Sequence, residues 1–337
     1  MKRSVLLILI VILTVGTVAV AQESVLIDFT QLTRDFPADN PIHNERTMID
    51  YSSMAGTSFS DEEKAEMRIS LAIDSWEVEL SRSAARVGTM TNSIVRSSPV
   101  REGASRFGGD TVMGMRVNFP NDPFNAWALV RPPFEVKAYA DLDEVQGDGT
   151  LVIPQEELGR GRKFDGFGVV KNVGVIRSVS MNVLGLNFPH KISLILQDEN
   201  NVQREIMMGD LQFDGWRTLE WRNPNYLTEV RTRELQVLPM YPALSPHVKL
   251  IGIRIYRNEA HHGGDFVSYV RDISLTYDRA ILHDERDVDD EAVWGILSER
   301  ERNRREAELR RVGSEQVLRY LEQRRMFGGM NGEDAQD

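Results

Sequence analysis

Residues Gly174 to Asn200 read GVIRSVSMNVLGLNFPHKISLILQDEN, and their spacing decides the fold. Val179, Met181 and Val183 alternate with Ser180 and Asn182, and Ile192, Leu194 and Leu196 then repeat the pattern. Period two puts apolar side chains on one face and polar ones on the other, as in a half-buried strand. Asp198-Glu199-Asn200-Asn201 ends the second run as a short hairpin loop, and Asp214-Gly215 reads as another tight turn.

The same alternation recurs outward from this block. Upstream it is carried by Val25, Ile27 and Phe29, by Trp76, Val78 and Leu80, by Met113, Met115, Val117 and Phe119, and by Phe134, Val136 and Ala138. Downstream come Leu219 and Trp221, then Ile251, Ile253 and Ile255, then Ile273, Leu275 and Tyr277. Pro120, Pro123, Pro132 and Pro133 punctuate the middle, where they would interrupt a central strand. Many short antiparallel strands, with no βαβ alternation and no glycine-rich phosphate loop, predict an all-β jelly-roll β-sandwich.

Two places break the β pattern. Ser60-Asp61-Glu62-Glu63 is a capping box that opens a short helix running toward Ser70, inside an irregular insertion over 31–72. After Tyr277 the chain turns acidic (Asp284 to Glu291), then Arg/Glu-rich from Glu299 to Arg325. Leu309, Val312, Val317, Tyr320 and Leu321 lie near helical spacing there, and Glu301–Arg305 and Glu306–Arg310 are i,i+4 pairs. This predicts a C-terminal charged helical arm, with a disordered tail from Gly328 on. The expected organisation is a signal peptide over 1–21, a sandwich domain over 22–282, and an acidic linker, arm and tail over 283–337.

The N-terminus fixes the compartment. Lys2 and Arg3 precede an aliphatic run from Val5 to Val15, and Ala19-Val20-Ala21 has the small-x-small pattern of signal-peptidase sites. Cleavage between Ala21 and Gln22 is expected, leaving 316 of the 337 residues and taking the net charge from −11 to −13. The run, broken by Thr14, Gly16 and Thr17, is short of the roughly 20 apolar residues of a membrane span, so no stable anchor is expected. Cysteine is absent, which removes disulfides, thiol catalysis and thiolate metal sites. So acidic a surface repels phosphate backbones, and no nucleic-acid partner is expected.

Candidate chemistry is sparse. His261-His262-Gly263-Gly264-Asp265 has metal-ligand residue types but no helical His-x-x-x-His spacing, so no metal or cofactor is expected. Asp210, Asp214 and Glu220 are acids that nothing local singles out as a glycosidase pair, and Gly-x-Ser-x-Gly is absent. Trp216, Trp221 and Tyr226 are candidates for weak glycan stacking; alternation puts Trp221 with Leu219 on the core face and Trp216 on the opposite one. The arm, with nine Arg and six Glu between Glu299 and Arg325, has two readings. It is a solvated helix folded back on the acidic run, or a docking helix reaching a neighbouring subunit through Arg304, Arg305, Leu309, Arg310, Val312, Tyr320 and Leu321.

Several blocks taken together resemble the spirochaete periplasmic flagellar filament outer-layer (sheath) protein family. They are Leu26-Ile27-Asp28-Phe29, the Gly174 to Asn200 stretch, Gly215-Trp216-Arg217-Thr218-Leu219, Asn223-Pro224-Asn225-Tyr226, Lys249 to Arg257, and Phe266 to Asp278. The resemblance implies a non-enzymatic subunit exported to the periplasm. It also implies that the subunit packs on the core flagellin filament and on other sheath subunits, with a fold similar to carbohydrate-binding modules. It implies no catalytic residue, and the arm matches no pattern of the family. The competing reading from the residues is a periplasmic carbohydrate-binding module-like protein.

Overall fold

The computed structural model describes residues 22–33, 47–122, 124–138, 144–145, 151–152, 164–235, 246–280, 288 and 290–330. Its strands are β1 (Gln22–Asp28), β2 (Met48–Asp50), β3 (Arg68–Ser70), β4 (Glu77–Leu80), β5 (Ile94–Pro99), β6 (Thr111–Phe119), β7 (Trp127–Arg131) and β8 (Glu144–Val145). They continue as β9 (Leu151–Val152), β10 (Val169–Lys171), β11 (Val173–Leu186), β12 (Lys191–Asp198), β13 (Gln203–Asp210), β14 (Asp214–Arg222), β15 (His247–Tyr256) and β16 (Gly264–Arg279). Helices are α1 (Asp61–Glu66), α2 (Val87–Thr91), α3 (Tyr226–Leu235), α4 (Asp290–Trp294) and α5 (Ile296–Met330).

The alternating runs form two antiparallel sheets. One has the order β14-β11-β16-β6-β5 with β1 also paired to β16; the other has β13-β12-β15-β7-β4 with β10 also paired to β15. Val179, Met181, Val183, Met113, Met115 and Val117 of the first sheet and Ile192, Leu194, Ile253 and Ile255 of the second are 0% exposed. They belong to one continuous core between the layers. Prolines sit where the pattern stops: Pro120 follows β6 and Pro132 follows β7.

Bulges change the phase in two strands. A register shift between Val25 and Ile27 turns Val25 out to 47% exposure and buries Leu26 and Ile27 side by side. A second shift, where Ile195 pairs Gly252 but Leu196 pairs Leu250, puts Leu250 in the core and leaves Ile251 half-buried. In both places an extra residue in one strand breaks simple alternation. Phe134, Val136 and Ala138 are buried as their spacing implies, but they lie outside any strand.

Local signals mostly hold, with shifted boundaries. Ser60 Oγ accepts from Glu63 N at 3.2 Å and Glu63 Oε2 accepts from Ser60 N at 2.9 Å, completing the capping box. The helix stops at Glu66 rather than approaching Ser70, because Met67 is fully buried and Arg68–Ser70 pairs with Met48–Asp50. Asp198 Oδ1 accepts from Asn200 N and Val202 N, and Asn201 has φ 62°, so the hairpin loop forms where expected. Gly215 has φ 89° but lies inside β14; the chain reverses just before, where Phe213 N donates to Leu211 O. Helices α2 and α3 interrupt the strands without an anticipated signal, and α5 continues through Gly328 and Gly329 to Met330 rather than ending in a disordered tail there. Residues 1–21 and 331–337 lie outside the described residues, so the signal peptide and Ala21 do too.

Candidate functional site

The C-terminal helix lies against the sandwich's own surface. Its 35 residues span about 52 Å at 1.5 Å per residue. The predicted stripe faces inward: Val312 is 1% exposed, and Leu309, Val317, Tyr320 and Leu321 are half-buried. Gly313 explains how the helix comes so close. A Cβ there would meet Met54 Cγ at 2.5 Å, so a side chain at this position would push the helix off the turn at Ser52–Met54. A glycine inside a helix costs about 0.5–1 kcal/mol relative to alanine, and here it permits the approach. Tyr320 packs edge-on against Phe59, with ring centroids 6.3 Å apart.

Charge fixes the rest of the contact. Arg311 meets Glu135 at 2.8 Å, Arg319 meets Glu77 at 3.3 Å, and Arg324 meets Glu63 at 2.5 Å. Arg319 also donates to Pro133 O at 2.9 Å, and Arg304 donates to Glu199 O at 3.4 Å. Arg310 is exposed and pairs with Glu306 along the helix at 3.7 Å. The side chain of Arg305 lies outside the described residues. The acids that receive the arm thus belong to α1, β4 and the chain after β7, and the arm's own upstream acids are mostly outside the described residues.

Beneath the helix lies a set of buried polar groups. Lys249, 3% exposed, points away from the core and binds Glu135 Oε1 at 2.5 Å. Burial raises the Glu308 carboxyl above its ordinary value, against the pull of Lys249, Arg304 and Arg311. Burial, then the positive Arg304, Lys249 and Lys171, lowers His247 to about 3. Glu308 Oε2 and His247 Nδ1 are buried and have no hydrogen-bond partner among the described residues. Sequence reading missed Lys249, Glu135, Glu77 and Met54, because a lysine on the polar face of a strand normally stands in water. Gly313 was the one available signal, a glycine in the middle of an Arg/Glu helix.

The histidine pair leads elsewhere. His261 packs edge-on against His190, ring centroids 4.8 Å apart, and His190 stacks on Phe266 at 5.0 Å with an interplanar angle of 10°. Phe119 and Phe188 complete this aromatic end of the core. Burial, then the neighbouring His261 and Arg257, lowers His190 to about 3, so it sits neutral. Arg257 donates to the carbonyls of Pro120 and His261, which ties the loop down. His262 is exposed. Among the described residues no three His, Asp or Glu side chains are grouped to hold a metal ion.

The other candidates are dispersed. Trp221 packs against the core, while Trp216 lies on the outer face, its ring 5.0 Å from Phe107 at 83°. Arg106 and Arg271 both lie over the Phe107 ring, and Phe107 itself has φ 59°. Tyr226 OH donates to Asp278 Oδ2 at 2.7 Å, which anchors α3 to the sandwich. Glu220 binds Arg222, whose hydrogen bond lowers its carboxyl, and Asp210 caps the turn at Gln212 N. Asp214 is exposed at the start of β14.

With this geometry in view, the profile of the flagellar filament outer layer protein FlaA matches residues 41–286. The chain belongs to the flagellar filament outer layer protein family. A family member from Spirochaeta aurantia is 49% identical over 308 residues, covering 91% of this chain and 88% of the relative. One from Treponema pallidum is 45% identical over 332 residues, covering 97% and 95%. One from Borreliella burgdorferi is 27% identical over 273 residues, covering 80% and 73%. Among solved structures, carbohydrate-binding modules of the β-sandwich superfamily align at 9% identity and a TM-score of 0.29, over 60% of this chain and 57% of theirs. A module solved with β-1,4-galactotriose aligns at 11% identity and 0.28, over 61% and 90%. Values that low carry no inference about ligands. The profile ends at residue 286, so the helix that docks over Glu135 and Glu77 lies beyond the matched family region, although the Treponema relative aligns over nearly the whole chain.

Proposed function

We propose that this chain is an exported, non-enzymatic subunit of the outer layer of the periplasmic flagellar filament. It packs on the flagellin core and on other copies of itself, and it contributes to filament shape, stiffness and cell motility. The family match over residues 41–286 carries this reading. The sandwich supports it physically: a close-packed double sheet is a stiff block, and repeated contacts that do not close into a ring extend into a helical layer. Cleavage after Ala21 would leave Gln22, the first residue of β1, as the N-terminus of the mature subunit. The test is co-sedimentation of purified mature protein with core flagellin filaments at native ionic strength. Pelleting only when filaments are present supports the reading; protein that stays wholly in the supernatant refutes it.

A second reading, glycan capture, draws on Trp216, an aromatic ring on the outer face of the first sheet beside Phe107. Glycan-array binding lost in Trp216→Ala would favour it, and an array with no binding above background would dispose of it.

A further inference from the structure

We propose that the C-terminal helix is exchanged between copies in the assembled layer, each helix leaving its own sandwich to lie in the same groove of a neighbour. The proposal rests on the outer-layer reading and names the contact that would join one subunit to the next.

The contact has a narrow apolar stripe and matched charges that set its register, which is the balance an exchangeable joint needs. Val312 is the one hydrophobic side chain on the helix below a tenth exposed among the described residues. Around it Leu309, Val317, Tyr320 and Leu321 are half-buried. Against these stand Glu308 Oε2 and His247 Nδ1, buried without hydrogen-bond partners among the described residues, which is unfavourable. In the ion pairs of Arg311, Arg319 and Arg324 the arginines are 38–58% exposed, so the pairs add register more than energy. Release from the chain's own sandwich would thus expose one buried apolar side chain and its half-buried rim, and would return two unpaired polar atoms to water.

Exchange conserves every one of these contacts, since the groove in a neighbour is the same groove. The choice between the two arrangements then depends on effective concentration. A helix on the same chain as its groove meets that groove at an effective concentration of roughly millimolar order. In dilute solution no neighbour competes with that. In a packed layer neighbouring grooves are present at a comparable density, and the exchanged arrangement becomes accessible. Passing the helix from each copy to the next is a head-to-tail contact, which propagates along a filament rather than closing.

The absence of cysteine allows a direct test. A Cβ built on Gly313 lies 3.1 Å from Met54 Cβ, a few tenths of an ångström inside the roughly 3.5–4.5 Å that a disulfide spans, and Met54→Cys puts the bonding sulfur in place of the Met54 Cγ that such a Cβ would strike. The full mature chain carrying Met54→Cys and Gly313→Cys would be oxidised free in dilute solution and, separately, after pelleting with core filaments. Non-reducing gels then separate the outcomes. Exchange predicts a monomer with an internal cross-link in solution and a ladder of covalent multimers from the pellet, collapsing to monomer on reduction. Internally cross-linked monomer in both samples overturns exchange and leaves the outer-layer reading standing. Protein that never pellets removes the outer-layer reading and exchange with it. Phe59→Cys with Tyr320→Cys, across the ring pair, joined by a short bis-maleimide instead of direct oxidation and run on the same gels, repeats the measurement should the first variant fold poorly.

Discussion

Glu135 holds two cations at once: its Oε1 is 2.5 Å from Lys249 Nζ in β15, and its Oε2 is 2.8 Å from Arg311 Nη2 on the C-terminal helix. The two partners differ in what they would lose. Lys249 is 3% exposed, whereas Arg311 is 47% exposed and already shares its charge with water.

Glu135→Ala should therefore destabilise the protein by about 3 kcal/mol, because it leaves a buried ammonium without its counter-ion. Arg311→Ala removes the same carboxylate's other partner and should cost less than about 1 kcal/mol. Urea denaturation of the two variants checks the contrast. Equal losses would mean that the lysine is hydrated in solution.

Val312→Asp should undock the helix while leaving the sandwich folded. A carboxylate cannot occupy that buried position without a partner, and release into water is the cheaper response. Hydrogen exchange should show loss of protection over Ile296–Met330, with strands β11, β12 and β16 unchanged. Retained protection over the helix would show that the ionic contacts alone hold it.

Acid should weaken the fold well before the surface carboxylates titrate. His190 and His247 are each lowered from 6.5 to about 3 by burial. As pH falls below 6.5 the unfolded chain takes up these protons and the folded chain does not. Stability is then lost at about 1.4 kcal/mol per pH unit for each histidine, down to the folded values. Glu308 has the opposite sign: its raised carboxyl binds a proton more readily in the fold, which offsets part of the loss. Urea midpoints between pH 7 and 4 should fall steadily. His190→Phe, which keeps a ring beside Phe266, should remove about half of the histidine slope.

Gly252→Ala should cost about 1–3 kcal/mol despite adding a single methyl group. A Cβ at that position would lie 2.6 Å from Val130 O and 2.8 Å from Leu129 Cδ1, and the backbone oxygen cannot move without breaking the β15–β7 pairing. Thermal unfolding of the variant checks it, and an unchanged midpoint would show that the two strands can separate locally without penalty.

The strands could be read from the sequence because a half-buried strand leaves its mark in every second residue. Met113 to Phe119 and Val179 to Val183 carry that mark without interruption. Where a bulge inserts one residue, as between Val25 and Ile27 and at Ile251, two residues of the strand face one of its partner, and the phase changes through a pairing that no local pattern shows. The capping box at Ser60 is complete within four residues and was equally plain, whereas the end of that helix is set by pairing with a strand before it.

The candidate site was half legible. The arm's helicity and its apolar stripe follow from local spacing, and so does the division of Trp216 and Trp221 between two faces. Sequence alone therefore determined most of the long strands and the C-terminal helix, since those preferences act over a few neighbouring residues, but not the helices at Val87–Thr91 and Tyr226–Leu235. Only the tertiary structure decided that Lys249 and His247 are covered and that His190 meets His261. It also decided that Arg311, Arg319 and Arg324 find Glu135, Glu77 and Glu63. These meetings join positions up to hundreds of residues apart, and burial of a charge depends on what packs over it, which no local pattern encodes.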